Sequence, residues 1–114
     1  MYLYARYLTE GQIIGDSSLE GYISALQTGC RCIELDIWDG PDDEPVVYHG
    51  YTLTSKLLVR DVLNVINKYA FVASEYPLIL STEIKCTEKQ QALLAGLLQA
   101  SFGGNTVNDR HLSF

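Results

Sequence analysis

The chain has 114 residues, 47% of them apolar, which suits one domain with a buried core. Its formal charge of -6, pI near 4.7 and few, scattered basic residues argue against an electrostatic grip on nucleic acid or anionic lipid. Three cysteines cannot all pair, and no signal peptide or apolar run of about 18 residues occurs, so a reduced, intracellular protein without a membrane span is expected.

Ser17 and Glu20 have capping-box spacing, and Leu19, Tyr22, Ile23 and Leu26 then recur at helical intervals until Gly29 offers a stop. A helix over about 17–28 is predicted. The next stretch, CRCIELDIW, alternates as a strand does: Arg31, Ile33, Leu35 and Ile37 share one face, and Cys30, Cys32, Glu34, Asp36 and Trp38 the other. Turn chemistry follows at Gly40, Pro41, Asp42 and Asp43, and VVYHG reads as a short extended piece ending at His49 and Gly50. A loop to about Lys56 precedes a helix face of Val59, Val62, Leu63, Ile66 and Ala70, which must end before Pro77. LILSTEI reads as a buried strand. Thr87 and Gln90 then repeat the capping-box spacing, and Leu93, Leu94, Leu97 and Leu98 stripe a helix closed by Gly103 and Gly104.

Helices alternating with strands predict an α/β chain with a parallel sheet, either doubly wound or part of a (β/α)8 TIM-type barrel. No GxGxxG or GxxxxGK[ST] turn occurs, which favours the barrel. A closed barrel takes about 200–250 residues, so a chain of this length supplies about three β/α units of the first half-barrel.

Glu34 and Asp36 lie two apart on one strand, so their carboxylates leave the same face about 7 Å apart near its C-terminal end. Glu83 holds the corresponding end of the next strand, and His49 follows the extended piece between them. Three carboxylates suit a hard, oxygen-seeking cation such as Ca2+ better than zinc. Cys30, Cys32, Cys86, His49 and His111 lack paired zinc-ligand spacing; the cysteines read as small buried thiols, and His49 taken alone reads as a structural histidine. The bland reading of the acids is solvated strand ends; their sharing a face with Cys30, Cys32 and Trp38 weighs against it.

The strings CRCIELDIWDGP, VVYHGYTLTSK and DVLNVINKYAFVASEYPLILSTE, in register over roughly Leu8 to Glu83, resemble the X region of eukaryotic phosphoinositide-specific phospholipase C. The resemblance implies a distorted (β/α)8 barrel and calcium-dependent hydrolysis of phosphatidylinositol 4,5-bisphosphate to diacylglycerol and inositol trisphosphate. By position it makes Glu34, Asp36 and Glu83 the acidic calcium ligands, Glu34 or Glu83 the general base, and His49 the acid that protonates the leaving oxygen. The partner it implies is a phosphoinositide headgroup. The parent enzyme is expected in the cytoplasm, peripheral to a membrane that it reaches through modules not recognised in this sequence.

Departures accompany the matches. Where the family reads Ser-His-Asn-Thr-Tyr-Leu, this chain has Tyr4 at the histidine and Ala5 at the calcium-ligating asparagine, and Ile84 and Lys85 replace an acidic or amide residue and a histidine. The expectations are therefore a partial X domain over 1–114, incomplete at both ends, and no turnover by the isolated chain. The alternative is a degenerate, non-catalytic half-barrel that binds a partner. Open barrel edges predict self-association.

Overall fold

A computed structural model describes residues 19–48 and 56–104. Tyr4, Ala5, Ser17, His49 and His111 lie outside the described residues. Helix α1 is Leu19–Gln27, ending just inside the expected boundary. Gly29, at φ 91°, is its left-handed terminus. The Gly29 N–H donates to the Leu26 carbonyl and the Cys30 N–H to the Ala25 carbonyl, at 3.1 and 3.0 Å. This is the Schellman pairing, which satisfies two carbonyls that the helix cannot.

Strand β1, Cys32–Trp38, follows directly. A one-turn 3-10 segment, Pro41–Asp43, leads into β2 at Val46–Val47. Just past the expected loop to about Lys56, Leu57–Leu58 forms a short strand, β3, that was not predicted, before helix α2, Val59–Tyr69. Strand β4 is Ile79–Lys85 and helix α3 is Glu88–Phe102.

The four strands lie in the order β3-β2-β1-β4. β1 and β4 are parallel, as predicted, with α2 in the connection between them. β2 pairs antiparallel with both β1 and β3, so the sheet is mixed rather than wholly parallel. The reason is connection length. Only residues 39–45 separate β1 from β2, and a parallel crossover takes a dozen or more.

The core lies on one face of this sheet. Ile33, Leu35 and Ile37 of β1 have no exposed surface and meet Leu26 of α1 and Val59, Val62, Leu63 and Ile66 of α2. The buried alternation in β1 and the buried stripe of α2 follow the sequence pattern. Each such aliphatic side chain contributes about 1.5–3 kcal/mol on burial, against the entropy of ordering it.

Two expectations need correction. LILSTEI is not buried on both sides: Ile79, Ser81, Glu83 and Lys85 are exposed, and Leu80, Thr82 and Ile84 are half-buried. The helices cover only one face, and Leu80 and Ile84 are the β4 side chains packed against the core. The stripe on α3 is also narrower than read. Leu94 is buried and Leu97 and Leu98 lie against the core, but Leu93 is exposed.

The second capping box is diverted. Thr87 is the N-cap of α3 without a side-chain cap bond; its hydroxyl and its N–H both donate to Asp39 Oδ1, at 3.1 and 3.0 Å. Gln90, buried, turns to the Gly40 backbone. The first turn of α3 thus fastens the segment leaving β1.

Candidate metal centre at the carboxyl end of the strands

In the parallel register of β1 and β4, Glu34 lies opposite Ser81, Asp36 opposite Glu83, and Trp38 opposite Lys85. Side chains alternate along a strand, so Glu34, Asp36, Trp38, Glu83 and Lys85 share the face that the helices leave uncovered. One carboxylate oxygen from each of Glu34, Asp36 and Glu83 lies within 4.8 Å of the others. Calcium binds oxygen at about 2.3–2.6 Å, so two ligands on opposite sides of one ion stand about 4.6–5.2 Å apart. The donor set and its spread fit such an ion. Asp36 is buried, Glu34 half-buried and Glu83 exposed, so the cluster opens towards Glu83.

Beyond the acids, at the end of β1, Trp38 gathers a group of rings and ammonium groups. The Trp38 indole N–H donates to the Tyr48 carbonyl at 2.7 Å, and the two rings meet edge to face with centroids 6.3 Å apart. The Tyr48 N–H donates to the Asp36 carbonyl at 3.1 Å, so its backbone is held from both sides. Lys56 lies 5.1 Å from the Tyr48 ring centre, and Lys85 lies 4.5 Å from that of Trp38. Lys85 Nζ also approaches Glu83 Oε1 at 3.4 Å.

The three predicted acids are brought together. His49 is outside the described residues, although the preceding residue, Tyr48, is fixed against β1. The thiols form no cluster with them among the described residues. Cys30 and Cys86 are buried and Cys32 half-buried, and the Cys30 thiol donates to the Cys32 carbonyl at 3.2 Å. Burial, then the nearby Asp39 charge, pushes the Cys86 thiol up, against a smaller lowering by its own backbone. Burial, reinforced by the Asp36 charge, also pushes the Tyr22 phenol well above its ordinary value.

Sequence reasoning missed Lys85 as a neighbour of Glu83, and Tyr48 and Lys56 as the ring and ammonium beside Trp38. Lys85 stood out only as a departure in a resembling motif. Its contact with Trp38 follows from cross-strand register, which one strand's sequence does not carry.

A parallel strand pair with acids at its carboxyl end, backed by helices, is a segment of a TIM-type α/β barrel. Residues 3–112 match the family described as Phosphatidylinositol-specific phospholipase C, X domain. The chain belongs to that family. It is 55% identical over 103 residues to the rat 1-phosphatidylinositol 4,5-bisphosphate phosphodiesterase zeta-1, covering 90% of this chain and 16% of that protein. It is 57% identical over 102 residues to the human delta-1 enzyme of that name, covering 90% of this chain and 14% of the other. The crystal structure of S. officinalis PLC21 superposes with a TM-score of 0.78 at 46% identity, over 83% of this chain and 12% of that one. The chain thus spans about one-sixth of the length of the curated relatives it matches.

Proposed function

We propose that this chain is part of a phospholipase C catalytic barrel whose reaction is calcium-dependent hydrolysis of phosphatidylinositol 4,5-bisphosphate. The observation that carries the reading is the convergence of Glu34, Asp36 and Glu83 within 4.8 Å at the carboxyl end of adjacent strands. In a family whose relatives are named for that phosphodiesterase activity, the cluster is the calcium site. Glu34, Asp36 and Glu83 would hold the ion, which supplies Lewis acidity towards the phosphate and the attacking hydroxyl. Glu34 or Glu83 would accept the proton of the inositol 2-hydroxyl as its oxygen bonds to phosphorus, and protonated His49 would give a proton to the diacylglycerol oxygen as that P–O bond breaks; water then opens the resulting cyclic phosphate and completes the hydrolysis. Buried Asp36 takes part as a ligand only.

Residues 1–114 form a partial X domain in this reading. Tyr4 and Ala5, in place of the family's histidine and asparagine, remove an imidazole and an oxygen ligand, so the isolated chain binds cation without turnover. The test is calorimetric calcium titration of the chain beside an E34A/D36A variant. Saturable binding that the variant lacks supports the site; a chain that takes up no calcium refutes it.

A second reading, a non-catalytic half-barrel that associates through its open edge, is favoured by exposed Phe71, Val72, Tyr76 and Ile79 along the entry to the edge strand β4. Sedimentation equilibrium decides it. Concentration-dependent association that I79D or Y76D abolishes supports it, and a monomer at all concentrations removes it.

A further inference from the structure

Lys85 stands two residues beyond Glu83 on β4 and opposite Trp38 on β1, so strand geometry puts its ammonium on the face that carries the acids. Its Nζ is 3.4 Å from Glu83 Oε1 and 4.5 Å from the Trp38 ring centre, between a carboxylate and an aromatic face that both attract a cation. Three carboxylates with oxygens within 4.8 Å repel one another when all are ionised. Arg60 and Lys89 pair elsewhere, with Glu44 and Asp43.

We propose that Lys85 is an internal counter-cation of the acid cluster, holding Glu83 in the absence of a divalent ion and setting how tightly that ion binds. The proposal rests on the calcium site argued above and assigns a regulator to it. A dication that takes Glu83 must displace the ammonium from it, and the retained positive charge opposes the second one arriving. The side chains of Lys85 and Glu83 are 36% and 58% exposed, so solvent screens the effect to a modest size. Lys85 acts through Glu83 and is a positioning residue. Departure of its ammonium from Trp38, the chain's one tryptophan, provides an optical signal.

The experiment titrates the 114-residue chain, K85Q, K85M and K85R with Ca2+ by calorimetry and with Tb3+ by Trp38-sensitised emission. Both run at low salt and at about 1 M KCl, where the Debye length is about 3 Å. Circular dichroism confirms that each variant is folded. K85M keeps an apolar stem against Trp38 and so separates lost charge from lost packing. The expected result is roughly three- to tenfold tighter binding by both K85Q and K85M at low salt, narrowing at high salt, with K85R close to the parent. Equal or weaker binding by K85Q and K85M, with binding still lost in E34A/D36A, overturns the role of Lys85 and leaves the site standing. Failure of the parent chain and every variant to bind either ion overturns both.

Discussion

The carboxamide of Gln90 closes on the backbone of Gly40 from both sides, donating from Nε2 to the carbonyl at 3.0 Å and accepting the N–H on Oε1 at 3.1 Å. Gln90 is 5% exposed and Gly40 half-buried, so both bonds are largely sheltered from water. The pair ties the first turn of α3 to the segment leaving β1, just beyond the acid-bearing strand ends.

Replacing Gln90 with Ala should cost about 1–3 kcal/mol, because a peptide N–H and C=O lose their partners in a closed site. Gly40→Ala should cost more, since a Cβ there would lie 2.0 Å from the Glu44 carbonyl oxygen and 2.6 Å from Val46 Cγ1. Urea unfolding of both variants measures this; a Gln90→Ala midpoint equal to the parent's would show that the clasp adds nothing.

Gly29→Ala should destabilise by about 1–2 kcal/mol, the cost of placing a Cβ in the left-handed region. Among the described residues, no atom beyond its chain neighbours lies within 4 Å of the added methyl position, so the loss is conformational rather than a clash. Gly29→Asn should recover part of it, since Asn tolerates that conformation. Thermal unfolding of the two variants gives the order.

Arg31 fastens the far side of the fold. Its guanidinium donates to the carbonyls of Ala70 and Tyr76, its Nε to that of Gly29, and it lies 5.8 Å from the Phe71 ring centre. Arg31→Lys keeps the charge but not the fork, and a loss of about 1–2 kcal/mol is expected. Hydrogen exchange should quicken at residues 70–78, and unchanged protection there would count against the fork.

Tyr22 carries an alkaline signature. Burial raises its phenol above the ordinary value of 10.0, so the folded chain keeps a proton that the unfolded chain releases. Its contribution is intact below pH ~10 and is lost as pH climbs from there through the raised folded value. Tyr22→Phe should flatten the fall in stability above pH ~10, read from urea midpoints between pH 8 and pH 11. Parallel curves for the two proteins would contradict it.

Alkylation should separate the thiols. Half-buried Cys32 is expected to react first with iodoacetamide at pH 8, with Cys30 and Cys86 shielded by burial and Cys86 also short of thiolate. Peptide mapping over time measures the order.

Periodicity was enough for α2 and for β1, because Ile33, Leu35 and Ile37 or Val59, Val62, Leu63 and Ile66 record which way each element faces. It was not enough for β3, where Leu57 and Leu58 are too few to show a period. Nor did it show that β4 is covered on one side only, since an apolar run reads alike against one layer or two. Thr87 and Gln90 matched a local capping pattern and were taken by Asp39 and Gly40, residues far away in the chain. For the site, the three acids were legible because their spacing follows strand geometry. The rings and ammonium groups beside them were not, because those contacts arise between strands.

The pairing of Asp36 with Glu83 also limits how such a sequence can drift. Shifting either strand by a single residue turns its carboxylates into the helix-packed layer and its aliphatics outward. Deletions within β1 or β4 should therefore abolish folding and cation capture in one stroke. The connector between α2 and β4 can lengthen or shorten at little expense in loop entropy. Descendants of this chain should record that history as gaps clustered around residues 71–77 and an uninterrupted count of residues through both strands.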